Sequence, residues 1–193
     1  MSLLERDTVV KVRKALLAAG EADTIVELAE TARSAEDAAK AVGCELGAIV
    51  KSLVFAVGRR FVMALVAGDH RCLEENLPSA FHMEGAVGRP AASEVKGISG
   101  FTIGGVAPVG LAHPLPVVID RSLKRFDKVY AAAGHPHCVF ETSAAALARM
   151  TGGIVSVAIS APIDPAQVAA VGLKRSRSFT SGREKRLEGD QSG

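Results

Sequence analysis

In the stretch GAIVKSLVF, Gly47 to Phe55, one ammonium stands among branched and aromatic side chains. Val50, Leu53, Val54 and Phe55 are types that strands favour. Alternation along a strand places Ile49, Lys51, Leu53 and Phe55 on one face. An unpaired ammonium is costly to bury, so Lys51 must reach water or meet a negative partner. Two readings follow. The stem lies along apolar surface with its head wet, or the head lines a pocket and meets an anionic or carbonyl group of a ligand.

A second stretch, FTIGGVAPVG from Phe101 to Gly110, sets Gly104 and Gly105 side by side ahead of Pro108. Such a loop lets its backbone approach a ligand closely, and its amide N–H groups could bond an oxyanion or an ester carbonyl. It lacks the Gly-Lys-Ser/Thr of a phosphate-binding loop and the spacing of a dinucleotide fingerprint. A tight connection between a helix and a strand also accounts for it. The run His135-Pro136-His137-Cys138 has metal-ligand types, but no second ligand pair stands at a recognisable spacing, and no pattern links it to His70 and Cys72. No metal and no cofactor are expected. Cys138 as a nucleophile would need an orienting base, and in a strand its neighbour His137 points to the other face. No serine-centred nucleophile elbow is present. Asp69, after Gly68, either pairs with Lys51 or ends a strand.

The elements that must position these residues are legible in outline. Leu3 to Ala19 has helical apolar spacing and stops at Gly20. Thr24 to Leu28 reads as a strand. Ser34 opens a helix, with Asp37 in capping-box position and Gly43 closing it. Val50 to Val57 and Phe61 to Ala67 form a hairpin around Gly58-Arg59-Arg60. A helix with a break at Pro78 is predicted over Arg71 to Phe81, and a shorter one over Ser93 to Ile98. Strands are predicted at Leu115 to Ile119, Lys128 to Ala133, His137 to Glu141 and Ile154 to Ile159, with a Ser143-capped helix before the last. Strand pairs interleave with single helices too irregularly for a doubly wound sheet. The fold class is α/β of the α+β type: a mixed, largely antiparallel, curved sheet with helices packed on it.

At 193 residues, 48% hydrophobic and 23% charged, the chain has enough for one domain with a real core. A net charge of +2 neither demands nor excludes nucleic acid. With no Trp and one Tyr, a platform of stacked aromatics is not expected. Three widely spaced cysteines, Cys44, Cys72 and Cys138, do not read as a disulfide framework and suit a reducing cytoplasm. The N-terminal stretch carries acids and no long apolar run, so it does not read as a signal peptide, and no run reaches the ~20 apolar residues of a membrane span. Residues 163–193 are polar and basic and read as a flexible tail, either solvated or touching RNA phosphates.

In order, IVKSLVF, a returning strand ending in AGD, GFTIGGVAPVG, LPVVID, VYAAAG, a Ser-capped helix and TGG resemble the YbaK/EbsC family. These are the free-standing relatives of the editing insertion domain of bacterial prolyl-tRNA synthetase. The resemblance covers roughly residues 8 to 160, within a domain expected over 1–162. It implies a sheet curved into a partial barrel, and a metal-free hydrolase that cleaves the ester between a wrong amino acid and the terminal adenosine of tRNA. The family's lysine matches Lys51, and its Gly-x-x-x-Pro loop matches Gly104 to Pro108. Lys51, Gly104 and Gly105 are then the expected catalytic residues. The substrate is expected to meet Ile49, Lys51 and Leu53 on the strand, Gly68 and Asp69 after its partner, Gly104, Gly105 and Pro108 in the loop, and Gly134 and His135 at the turn. Many relatives carry Ser where this chain has Ala132.

The implied partners are the aminoacyl end of a mischarged tRNA and, possible in addition, prolyl-tRNA synthetase; no membrane is involved, and the expected assembly is a monomer or weak dimer. A small amino acid on the proline tRNA is the expected target, cleared by a size-limited second sieve. The alternatives are a non-catalytic module that binds tRNA ends or another ligand, and a nucleic-acid-binding regulator that uses the basic tail.

Overall fold

The computed structural model describes residues 2–29 and 34–164. A 3-10 turn at Leu3–Glu5 precedes α1, Asp7–Ala18, so the expected single helix is split at Arg6, whose backbone is extended. β1 is Ile25–Glu27 and α2 is Ala35–Val42. The Ser34 side chain accepts the Asp37 N–H, and Gly43 ends α2 in the left-handed region, so local sequence sets both ends. A 3-10 turn at Leu46–Ala48 leads into β2, Ile49–Val57, which returns as β3, Arg60–Ala67. Next come β4, His70–Cys72, α3, Leu77–Phe81, β5, Val87–Gly88, and α4, Ala92–Ser99. β6, Val117–Asp120, runs into a 3-10 turn at Arg121–Arg125. β7, Val129–His135, and β8, Cys138–Thr142, form a second hairpin, followed by α5, Ala144–Thr151, β9, Ile154–Ser156, and β10, Ser160–Pro162.

Two expectations are corrected. The helix expected over Arg71 to Phe81 is a strand, β4, then a 3-10 turn, then α3 from Leu77. Pro78 lies in the first turn of α3, where a missing N–H leaves no bond unmade, so it starts the helix instead of breaking it. The strand expected over Ile154 to Ile159 stops at Ser156, and β10 crosses to pair with β4. The expected tail from residue 165 onward lies outside the described residues.

Among the described residues the strands make a mixed, largely antiparallel curved sheet in the order β1-β8-β7-β2-β3-β6-β9, with β5 added beside β2, and a small β10-β4 pair. Register sorts the side chains. Val50, Met63, Leu65, Ala67, Val117, Ile119, Ala131 and Phe140 face one way and pack with Val9, Val12 and Leu16 of α1, Val95 of α4 and Leu147 of α5. The opposite face carries two separate clusters. Phe55, Val62, Ala64, Val66 and Val118 pack with Leu77 of α3. Ile49 and Val139 pack with Ala38 and Ala39 of α2.

Candidate functional site

Lys51 stands on that divided face. Along β2 it lies between Ile49, which belongs to the α2 cluster, and Leu53, which packs on the α3 cluster. Across the hairpin it is opposite Val66. Its stem is half-buried, and its ammonium donates to the carbonyl oxygen of His70, just beyond the end of β3. Burial holds the Lys51 pKa below its ordinary value of 10.5, against the opposing pull of Glu36, Cys72, Asp69 and Asp120. Among the described residues no carboxylate lies within ion-pair distance of it. Asp69 is engaged by Arg125 at 2.7 and 3.0 Å. Asp120, 2% exposed, accepts the N–H groups of Ala67 and Ser122.

The sheet splits beside this lysine. β3 occupies one edge of β2 from Val50 to Val57. On the other edge β7 pairs only at Ile49 and Val50, and β5 only at Ala56 and Val57. Lys51 to Phe55 therefore have no strand on that side among the described residues. A cleft of about 210 Å³ opens at the split. Its walls are Ser34, Ala35 and Ala38 at the start of α2, Ile49 to Ser52 of β2, Gly104 and Val106 of the loop, and Tyr130, Ala132, Pro136 and Val139 of the second hairpin.

Of the residues singled out in the sequence, Ile49, Lys51 and Gly104 share this cleft. Gly104 has φ +94°, open to glycine and strained for other residues. Gly105 backs onto the turn of the second hairpin: a methyl there would stand 2.9 Å from the His135 Cα. Its N–H donates to Thr102 O at 3.0 Å. Leu53 packs into the α3 cluster. Gly68 lies against the Leu46 carbonyl, and Gly134 against the Thr8 carbonyl of α1. Pro108 lines a different cavity, of about 290 Å³, with Ala15 and Ala19 of the first helix segment and Met150 of α5.

His135 accepts the His137 N–H on Nδ1 at 3.2 Å, and the two rings meet edge to face at 5.1 Å. Burial, then Arg6 and His137, hold the His135 pKa below its ordinary value. Cys138 points into the opposite, α1-covered face, where burial pushes its thiol up to about 11. A buried thiol so hard to ionise is a poor nucleophile. Among the described residues no group of three or more His, Cys, Asp or Glu could hold a metal ion.

Sequence reasoning did not reach several contributors, Ser52, Tyr130 and Val139 among them. Ser52 lines the cleft, and its Oγ is buried with no hydrogen-bond partner among the described residues; its one signal was a hydroxyl next to the lone lysine. Tyr130 and Val139 arrive by parallel pairing and by the second hairpin, both non-local. Tyr130 donates its hydroxyl to Glu141 at 3.0 Å.

Residues 29–150 match the family model described as aminoacyl-tRNA editing domain. The uncharacterized protein YwhH of Bacillus subtilis is 34% identical over 118 residues, 61% of this chain and 74% of YwhH. A proline–tRNA ligase of Xanthomonas oryzae is 35% identical over 95 residues, which span 48% of this chain but only 16% of the ligase. A solved structure described as a candidate trans-editing enzyme for prolyl-tRNA synthetase is 35% identical, with a TM-score of 0.72, covering 78% of this chain and 96% of that one. No helix among the described residues is long and apolar enough to cross a membrane.

Proposed function

Because this chain belongs to the aminoacyl-tRNA editing domain family, we propose that it is a cytoplasmic trans-editing deacylase. It hydrolyses the ester that joins a small, wrong amino acid to a tRNA, with the proline tRNA as its substrate. The observation that supports this most is the Lys51 ammonium, half-buried on a cleft wall, held by a carbonyl and not by a carboxylate. An ammonium so placed keeps its charge available for a polyanionic ligand, and the terminal nucleotide of tRNA supplies that anion. The structural relatives of prolyl-tRNA synthetase editing support the choice of tRNA.

In the proposed reaction Lys51 meets the terminal nucleotide or the ester carbonyl. The Gly104 backbone, on the cleft wall, approaches the carbonyl oxygen as charge develops there; the Gly105 N–H is already committed to Thr102. A positioned water adds to the carbonyl carbon, the bond to the ribose oxygen breaks, and that oxygen takes the proton. Free amino acid and uncharged tRNA leave. The ester is already activated, so orientation and electrostatics carry the barrier and no protein nucleophile is assigned. Ala35, Ala38, Ala132, Ile49 and Val139 bound a cleft of about 210 Å³, which restricts the amino acid by size.

The test is release of free amino acid from a panel of mischarged tRNAs, with Ala, Ser and Cys on the proline tRNA and correctly charged Pro-tRNA as the counter-substrate. Wild type should clear a small amino acid, and Lys51→Ala should be at least about tenfold slower, or about 1.4 kcal/mol in the barrier. Binding of the tRNA end without release of any amino acid would replace the deacylase with a binding module.

A further inference from the structure

Arg125, at the end of the 3-10 turn after β6, is not among the residues that line the cleft, yet it grips the acid nearest in sequence to the Lys51 anchor. Its two terminal nitrogens hold the two Asp69 oxygens at 2.7 and 3.0 Å. Asp69 immediately precedes His70, whose carbonyl receives the Lys51 ammonium. The His70 ring itself lies 3.9 Å from Asp69 and 3.5 Å from Asp120. Two carboxylates thus flank the residue that anchors Lys51, and each is occupied: Asp120 by backbone N–H groups, Asp69 by Arg125.

Building on the deacylase reading above, we propose that Arg125 is a positioning residue that keeps Asp69 from pairing with Lys51, so that the ammonium stays available to substrate. An ion pair as exposed as this one, with side chains 34% and 44% exposed, adds about 0–1 kcal/mol to stability. Stability alone is a weak reason for a two-pronged grip. Its electrostatic consequence is felt at the half-buried lysine, where charges are screened less. With Arg125 gone, the Asp69 carboxylate loses its cation, while Lys51, on which its charge already bears, is held only by the adjoining His70 carbonyl. An Asp69–Lys51 pair would have to break before each substrate bound. The competing role is mechanical. The pair packs over Gly47, where a methyl would stand 2.8 Å from Arg125, Asp69 and Phe126, and the guanidinium lies over the Phe126 ring at 4.9 Å. A clamp of that kind would tie the start of β2 to the turn after β6.

The two roles separate in a double-variant comparison on the full chain. The groups that bear on Lys51 are Glu36, Cys72, Asp69 and Asp120, and only Asp69 changes across the series. NMR titration of isotope-labelled lysine, with the Lys51 signal assigned by its loss in Lys51→Ala, reads the ammonium directly. Hydrolysis of the mischarged tRNA is measured on the same samples. In Arg125→Met the Lys51 titration should move up and turnover should fall about tenfold. Adding Asp69→Asn to that variant should bring the titration back to or below the wild-type value and recover most of the lost turnover. A clamp predicts that the double variant stays as slow as Arg125→Met even where its Lys51 titration returns to the wild-type value, which overturns the proposal. Should Arg125→Met not fold, Arg125→Gln keeps a hydrogen bond to Asp69 without the charge, and the same rise, reversed by Asp69→Asn, is required of it. If wild type deacylates but Lys51 does not shift, the Arg125 role is wrong and the deacylase reading stands. If Lys51 shifts as stated while no variant, wild type included, releases amino acid, the deacylase reading is wrong and the electrostatic role stands.

Discussion

The two faces of the sheet are built from the same strands and end in different surfaces. On one, Val50, Met63, Leu65, Ile119 and Phe140 merge with α1, α4 and α5 into a continuous core. On the other, the apolar surface breaks into two clusters, and Lys51 stands in the break. The break coincides with the stretch of β2 that has lost its β7 partner. A closed face has every apolar group matched by another; a divided face leaves a cleft and one charge. The difference separates residues that hold the fold from residues free to meet a ligand, and each prediction below tests that separation.

The largest effect should come from the closed face. Phe140 is fully buried there, and Phe140→Ala removes a ring that neighbours on α1 and α5 can only partly replace. A loss of about 3–5 kcal/mol is expected in urea unfolding, with turnover per folded molecule unchanged at temperatures where the variant remains folded. A slow but stable Phe140→Ala would mean that the two faces are functionally coupled.

How much of this was visible in the chain depends on how local the cause is. The ends of α2 were legible because Ser34 and Gly43 act on their own neighbours. The β2–β3 hairpin was legible because alternation and the Gly58 turn lie in one continuous stretch. β4 and β10 were not: each has three residues, and they exist only because segments some ninety positions apart meet. The residues 71–81 carry helix-forming types, and nothing in them reveals that His70–Cys72 will be captured by a distant strand. At the site, Lys51 was legible as an anomaly within a strand, and Gly104 as a loop feature. Ala35, Tyr130 and Val139 reach the cleft through parallel pairing and helix docking, and Arg125 reaches Asp69 from another turn. None of these has a local signature. The resemblance to an editing family added what periodicity could not, the order of the motifs along the chain, and the family match over residues 29–150 agrees with it.

An intermediate effect is expected at the loop between the faces. A methyl at Gly104 would come no nearer than 3.6 Å to Pro136, an ordinary contact, so its cost is the φ of +94°. Strain of that kind is about 1–3 kcal/mol where the surroundings hold the backbone in place. Gly104→Ala should therefore lose a modest part of the protein's stability, visible as an earlier thermal melt. If the Gly104 backbone meets the ester, turnover should fall by much more than the folded fraction does. Residual activity that only tracks the folded fraction would make the loop a structural turn.

The smallest stability effect, and the one with the most telling sign, is expected at Lys51. Lys51→Met keeps the length of the stem and removes the charge. Its neighbours Ile49, Leu53 and Val66 are apolar, so the variant should melt at the wild-type temperature or above it while turnover falls at least about tenfold. The pH dependence follows from the lowered pKa. Below the folded-state value Lys51 is protonated in both states, and the cost of burying its charge is fully present. Between that value and the ordinary 10.5 the unfolded chain holds a proton that the folded one has released. Stability rises with pH wherever the unfolded state binds more protons. Wild type should thus gain on Lys51→Met as the pH climbs through the window just below 10.5, in urea unfolding series run in parallel from neutrality upward. A constant difference across that window would show that the ammonium is as well solvated in the fold as out of it. Lys51 would then be a wet surface lysine, and the divided face would lose the feature that distinguishes it from the closed one.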